Sequence, residues 1–240
     1  MNDDLEETLR SFTEDIRGLY GDTLLAVVLY GSAASGEYVR GKSNINSLIL
    51  LKEVTPQELK KCAKHLQKWR KNGIVTPLFV DPAYVNSSID VFPIEFLDMK
   101  QRYRLLYGQD FLRDLELNFT HLRFQCEQEL KGKMLRLRQL YIEGTQSSQD
   151  LTRLLVKSLS SFIVLFRALL HLRRLPAPQS SDEVLTGLTQ AGLRAEAMKK
   201  VYDLKRSNAK TSPIELESLF ADYLKEIQAA IESVDKMKVN

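Results

Sequence analysis

The chain has 240 residues, of which 44% are hydrophobic and 27% charged, and its formal net charge is +3. These values are typical of a globular protein of one or two domains and are too mildly basic to indicate a nucleic-acid binder. No apolar run reaches the roughly 20 residues that a membrane helix requires, so no membrane association is expected. The acidic residues Asp3, Asp4, Glu6 and Glu7 differ from a basic signal peptide. We therefore expect a cytoplasmic protein.

The cysteines and histidines indicate neither a disulfide nor a metal site. Cys62 and Cys126 lie far apart and lack Cys-x-x-Cys spacing, so both are expected to pack as small apolar side chains. His65, His121 and His171 fall on three separate predicted helices without a neighbour at metal-ligand spacing. The predicted set of metal ligands is therefore empty.

The first half of the chain alternates helical and strand patterns. Apolar residues recur at helical spacing as far as Leu19, and the Gly21-Asp22 turn ends that helix. Short apolar, partly β-branched runs then predict four strands, at residues 24–30, 47–51, 74–80 and 93–97. A helix that opens with the capping box Thr55-Pro56-Gln57-Glu58 separates the second strand from the third. This strand–helix–strand order favours parallel pairing for part of a small mixed sheet.

From about residue 115 onward only helical patterns are found. The predicted helices span residues 115–143, 148–174, 182–191, 194–206 and 213–237. Broad apolar faces on the long helices make a bundle the expected arrangement. The sequence therefore predicts an α+β protein, with a small mixed β-sheet domain over residues 1–112 followed by an all-α helical bundle domain over residues 113–240.

The most informative segment begins at the end of the first predicted strand. That strand ends in Gly31-Ser32, and after a short turn the next strand begins with Ser43-Asn44-Ile45-Asn46. Side chains alternate along a strand, so Asn44 and Asn46 project to one side while Ile45 points into the core. This arrangement resembles the signature of the nucleotidyltransferase superfamily, in which a strand ends in Gly-Ser and the next begins with Asp-x-Asp.

The resemblance implies an active site that has lost its charge. In that family the two carboxylates hold divalent metals, which bridge the nucleotide triphosphate and activate the attacking hydroxyl. Asn44 and Asn46 occupy both acidic positions here. The stretch from Pro93 to Met99 is similar to the family's source of a third carboxylate, so Glu95 is identified as its vestigial catalytic residue. Leu105 to Asp110 resembles the Leu-Tyr-Gly-x-Asp turn that closes the domain.

Two domain assignments follow from this resemblance. Residues 1–112 are expected to form a nucleotidyltransferase-like domain, and residues 113–240 resemble, in order and pattern only, the helical domain of kanamycin-type nucleotidyltransferases. Judged without the resemblance, Asn44 and Asn46 are polar residues at the start of a strand. Glu95 is then a solvent-facing residue on an edge strand.

We therefore expect a catalytically degenerate protein that binds a nucleotide or another phosphorylated small molecule in the old cleft. The residues predicted to bind it are Gly31, Ser32, Lys42, Ser43, Asn44 and Asn46. Exposed backbone N–H groups at the Gly31-Ser32 turn are expected to hold a phosphate, with positive charge from Arg40 and Lys42. No cofactor is expected.

Two alternatives stay open at this point. An active nucleotidyltransferase would transfer a nucleoside monophosphate to a small molecule or a protein. It would need Mg²⁺, held by Glu95, another acid such as Glu37 or Asp90, and the substrate phosphates. A non-catalytic module would instead use the sheet and the bundle as a homodimer or partner surface.

Overall fold

The computed structural model describes residues 3–40, 43–144, 147–206 and 212–238, which contain one four-stranded sheet and ten α-helices. The predicted α+β class, with a small mixed sheet and a mostly helical second half, is confirmed. Residue contacts divide the chain into two compact units: unit 1 comprises residues 1–91 and 95–116, and unit 2 comprises residues 92–94 and 117–240. The domain boundary at residues 112–113 stays a prediction.

The elements of the first half appear in the following order. They are α1 (Asp3–Tyr20), β1 (Leu24–Tyr30), β2 (Asn46–Leu51), α2 (Pro56–Cys62), α3 (Leu66–Lys71), β3 (Leu78–Val80), α4 (Pro82–Ser88), α5 (Pro93–Gln101) and β4 (Tyr103–Gly108). The strands are ordered β3-β2-β1-β4 across the sheet. β1 pairs antiparallel with both β2 and β4, while β2 pairs in parallel with β3 across the α2–α3 connection. The expected parallel pairing is therefore present.

The core of unit 1 lies between α1 and the sheet. The apolar stripe of α1 is almost fully buried and includes Leu9, Phe12 and Ile16. Trp69 of α3 packs edge-on against Phe12, with ring centroids 5.1 Å apart. Its indole N–H donates a hydrogen bond of 3.0 Å to Asp15. This bond satisfies the one polar group of a buried ring, so α3 is held against α1 without an unpaired donor.

One predicted strand is wrong, and one strand was missed. Residues 93–97 begin helix α5, because Pro93 suits a first helical position and the apolar residues of this stretch fit helical spacing as well as alternation. The fourth strand is β4, at Tyr103–Gly108, in the segment expected to form a closing turn. The third strand is shorter than predicted, since Leu78–Val80 is preceded by a single bridge between Ile45 and Ile74.

Gly108 marks the place where β4 approaches the start of β1 most closely. Its φ is +84°, and a Cβ atom there would overlap the carbonyl oxygen of Leu25. The next residue, Gln109, donates its N–H to that same oxygen at 3.0 Å. Glycine is therefore required here both by the backbone conformation and by the close approach of the two chain segments.

The described residues of unit 2 form five helices. They are α6 (Phe119–Gly144), α7 (Ser148–Leu172), α8 (Ser181–Gln190), α9 (Glu196–Arg206) and α10 (Pro213–Asp235). α7 is the central helix, with twelve buried residues. By length and composition α7 could also cross a membrane, but 56% of its most apolar window is buried inside the protein, as in a core helix. Its apolar length is therefore accounted for by packing.

Buried polar groups join the helices of unit 2. The hydroxyl of Tyr223 on α10 lies 3.1 Å from that of Ser158 on α7. The carboxylate of Glu226, also on α10, accepts the N–H groups of Ala197 and Met198 at 2.9 Å each, at the start of α9. A carboxylate in this position satisfies backbone donors that a helix leaves open at its N-terminus.

Candidate functional site

Three chain segments meet at the edge of the sheet where β1 ends. Tyr30, the last residue of β1, pairs with Asn46 at the start of β2 and with Tyr103 at the start of β4. Beyond it, the N–H of Gly31 donates a 3.2 Å hydrogen bond to the carbonyl of Arg102. We call the group formed by Gly31, Ser32, Asn46 and Arg102 the Gly31 edge.

The side chain of Asn46 lies next to Gly31 at this edge. Gly31 has a φ of +76°, and a Cβ atom on it would stand 3.4 Å from the Nδ2 atom of Asn46. The left-handed backbone and the close neighbour both favour glycine. The structure therefore brings together two of the residues predicted to bind a ligand.

The other predicted ligand-binding residues have different environments. Ser32 is half-buried, whereas Asn44 is exposed to solvent. Ser43 closes a short loop, because its hydroxyl accepts the N–H of Val39 at 3.0 Å and its N–H donates to the Val39 carbonyl at 2.8 Å. Lys42 lies outside the described residues. The roles of all four in ligand binding stay predictions.

One detail of the expected phosphate site needs correction, and a second stays untested. The N–H of Gly31 already donates to the carbonyl of Arg102, so it is not available to a phosphate. Arg40 is strongly exposed and forms an ion pair of 2.7 Å with Asp4, which is exposed as well. Ion pairs at the surface contribute little to stability. The contribution of Arg40 and Lys42 to binding a phosphate stays a prediction.

Glu95 is not on a strand. It lies in the first turn of α5 and is exposed, whereas Ile94, Phe96 and Leu97 beside it are buried. The strand placement on which its assignment relied is therefore wrong, and its role as a vestigial catalytic carboxylate stays a prediction.

A partly buried ion cluster that the sequence did not reveal adjoins the Gly31 edge. Nη2 of Arg102 contacts both carboxylate oxygens of Asp98, at 2.9 and 3.0 Å, and Nη1 contacts Glu37 at 3.4 Å. Only 7% of the Arg102 side chain is exposed. Burial, together with the charge of Asp98, raises the pKa of Tyr30, so the phenol at the end of β1 remains neutral. We call Arg102, Glu37 and Asp98 the Arg102 cluster.

The residues of the Gly31 edge do not fit a divalent metal. Magnesium sites in proteins use one or two carboxylates together with substrate phosphates, and Asn46 supplies no negative charge. The two nearby carboxylates, of Glu37 and Asp98, are bound to a guanidinium. Within the described ranges, no three acidic, histidine or cysteine side chains come together as a metal-binding group. Residues 74–77, which precede β3 in the chain, contain no aspartate or glutamate, so this stretch adds no carboxylate ligand.

Comparison with solved structures gives a match along the whole chain. It is with the crystal structure of spectinomycin adenyltransferase AAD(9) from Enterococcus faecialis with ATP and spectinomycin, at a TM-score of 0.58 and 12% sequence identity, covering 96% of this chain and 99% of that one. The chain has a nucleotidyltransferase-like fold. At this identity the likeness extends to the fold alone. No protein-family model and no curated protein matches the sequence.

Within this nucleotidyltransferase-like fold, the candidate functional residue that the sequence motifs did not indicate is Arg102. Asp98 and Arg102 are four residues apart, the spacing of an ion pair on one helix face. That signal is present in the sequence, but it is recognisable only if residues 93–101 are predicted to be helical. Glu37 lies 65 residues from Arg102 along the chain, and no local pattern joins them.

Proposed function

We propose that this protein binds a nucleotide or another phosphorylated small molecule at the Gly31 edge, without a divalent metal and without transferring the bound group. The observation that carries the proposal is the match over nearly the full length of an adenyltransferase solved with ATP. The proximity of the Asn46 side chain to Gly31 supports it, since two of the predicted binding residues lie next to each other.

The exchange of carboxylates for asparagines has a direct chemical meaning in this proposal. A carboxylate repels phosphate oxygens unless a metal lies between them. A side-chain amide can instead donate hydrogen bonds to those oxygens. Metal and electrostatic stabilisation provide most of the catalysis in phosphoryl-group chemistry, so a site without metal ligands keeps recognition and loses turnover.

Calorimetric titration with a panel of nucleotides tests the proposal. Each nucleotide is added once with Mg²⁺ and once with a chelator, and we expect at least one to bind equally well in both conditions. Asn46→Ala should weaken that binding about tenfold or more, because a hydrogen bond to a charged group is lost. Asn86→Ala is the matched control, since Asn86 is an exposed asparagine of α4 that is not among the predicted binding residues, and it should bind as the unaltered protein does.

Three results would contradict the proposal. The first is an absence of binding for every nucleotide in both conditions. The second is binding that requires Mg²⁺. The third is transfer of labelled nucleotide to a small molecule or to the protein itself, which would indicate an active enzyme.

A homodimer or partner surface is a second candidate function, favoured by one face of α6. Leu135 and Ile142, two turns apart on that helix, are 60% and 83% exposed. Large apolar side chains exposed in a row are typical of interaction surfaces. Light scattering of the protein and of a Leu135→Glu, Ile142→Glu variant would decide this. We expect a dimer that the variant dissociates, and a monomer in both samples would reject the candidate.

A further inference from the structure

We propose that Arg102 is the resident cation of the Gly31 edge, and that its guanidinium binds Glu37 and Asp98 in the manner of a metal ion. The inference rests on the proposed metal-independent function. Its test uses metal and heat with no nucleotide, so the two can fail separately.

The burial of Arg102 is the first argument. Taking a guanidinium out of water is costly unless carboxylates and hydrogen bonds compensate for the lost hydration. Asp98 supplies a pair of short contacts and Glu37 a longer one. The Nε atom of Arg102 is buried without a hydrogen-bond partner among the residues that the structure describes. Arg102 therefore places a buried positive charge at this position, paired mainly with Asp98.

The position of the cluster is the second argument. The backbone carbonyl of Arg102 accepts the Gly31 N–H, so the main chain of Arg102 is part of the Gly31 edge itself. Asp98 comes from the last turns of α5, and Glu37 from the segment that follows the Gly31-Ser32 turn. The side chain of Arg102 thus joins two chain segments, α5 and the segment after the Gly31-Ser32 turn, as a metal ion with ligands from separate segments does.

Charge is the third argument. Glu37 and Asp98 together carry two negative charges and Arg102 one positive charge, so the two carboxylates are already partly neutralised. The fixed guanidinium also repels any divalent cation that approaches the same carboxylate oxygens. The cluster therefore excludes a metal for as long as Arg102 is present.

The test replaces Arg102 by methionine in the full-length chain, which keeps an unbranched side chain and removes the charge. Mn²⁺ is the probe, followed by electron paramagnetic resonance and by thermal unfolding. The unaltered protein should neither bind Mn²⁺ at millimolar concentration nor change its Tm. Arg102→Met should unfold at a lower temperature, and Mn²⁺ should raise its Tm by about 2–4 °C.

Two further variants test whether the response to Mn²⁺ requires both carboxylates of the Arg102 cluster. Asp98→Asn added to Arg102→Met removes one of the two carboxylates, so the response to Mn²⁺ should disappear. Arg104→Met is the matched control, because Arg104 forms a two-contact ion pair with the single carboxylate of Glu6, at 2.7 and 3.1 Å. Its loss leaves that one carboxylate, and no response to Mn²⁺ is expected.

Arg102→Lys keeps the test decisive if Arg102→Met does not fold. Lysine retains the positive charge but cannot contact both carboxylates in a planar fork. This variant should be less stable than the original and should still show no Mn²⁺ binding. Binding of Mn²⁺ by the unaltered protein or by Arg102→Lys would overturn the proposal. A folded Arg102→Met variant without any Mn²⁺ response would overturn it as well.

Discussion

The side-chain amide of Asn46 lies directly against Gly31, with Nδ2 3.4 Å from the point where a Cβ atom would stand. The turn after β1 and the start of β2 are therefore matched to each other. A Cβ atom at position 31 would make a van der Waals contact with this amide, and a shorter side chain at position 46 would remove that neighbour of the turn.

Gly31→Ala is the first prediction, with Gly36→Ala as its control. Both glycines have left-handed backbones, with φ of +76° and +80°, but a Cβ at Gly36 would meet no atom of the described chain within 4 Å. Each substitution should lower the free energy of unfolding by about 1–2 kcal/mol, measured with urea. Only Gly31→Ala should also weaken nucleotide binding in calorimetry. Equal binding by both variants would show that the Gly31–Asn46 contact does not shape the ligand site.

Gly108→Ala should be far more damaging than either Gly31→Ala or Gly36→Ala. The added carbon would overlap the carbonyl oxygen of Leu25, and backbone cannot move aside as a side chain can. We expect a loss of more than about 3 kcal/mol in urea unfolding, or failure to fold. A loss no larger than that of Gly36→Ala would mean that β4 does not approach β1 so closely.

Gly132→Ala should act in the opposite direction. Gly132 lies within α6, is exposed and leaves room for a Cβ. Alanine should raise the free energy of unfolding by about 1 kcal/mol, because it reduces the freedom of the unfolded chain and favours the helix. A destabilising effect in urea unfolding would show that this face of α6 is covered by another surface in solution.

Tyr223→Phe removes a buried hydroxyl that contacts Ser158, and it should cost about 1 kcal/mol. Tyr141→Phe removes a hydroxyl that donates to Glu217 at 2.6 Å on the surface. That loss should stay below about 0.5 kcal/mol, since exposed polar pairs contribute little. Thermal unfolding of both variants in one buffer gives the comparison, and a larger effect at Tyr141 would contradict the burial argument.

The raised pKa of Glu226 leads to a prediction of how the free energy of unfolding changes with pH. Burial raises the pKa of Glu226, and the neighbouring Glu196 adds to this, although the N–H groups of Ala197 and Met198 oppose it. The folded state therefore keeps this proton to higher pH than the unfolded state. The stabilisation that it gives is complete below the ordinary glutamate pKa of about 4.3, and it is lost as pH rises through the folded-state value.

The comparison with Glu226→Gln isolates this group from all others. The difference in unfolding free energy, original minus variant, should decrease as pH rises from about 4.5 toward neutrality. Urea unfolding at several pH values measures it. A difference that increases over this range would mean that the backbone donors at the start of α9 dominate over burial.

How much of this could be predicted from the sequence depends on whether the signal is local. β1 and β2 were identified because their buried runs are flanked by turn residues, and α10 because Ser212 and Glu215 form a capping box. The run from Pro93 to Leu97 fits both helical and strand periods, so composition alone could not separate them. β4 was not predicted, because its residues are mostly half-buried and do not alternate between buried and exposed positions.

The residues of the candidate site also differ in whether a local sequence pattern indicates them. Gly31 and Asn46 were found from spacing along neighbouring strands, and the structure places them in contact. The Arg102 cluster could not be found, because Glu37 and Arg102 are 65 residues apart in the sequence and meet only in the folded structure. Charge compensation between distant residues leaves no periodic trace in a sequence.

The short segment from Phe92 to Ile94 belongs to unit 2 although both of its neighbours in the chain belong to unit 1. The N–H of Ile94 donates to Gln125 of α6 at 2.8 Å. A protease that cuts after Glu116 would thus leave a piece of the helical half on the N-terminal fragment. Truncation at that point would produce two incomplete halves, and a nicked protein should elute as one particle until a denaturant is added.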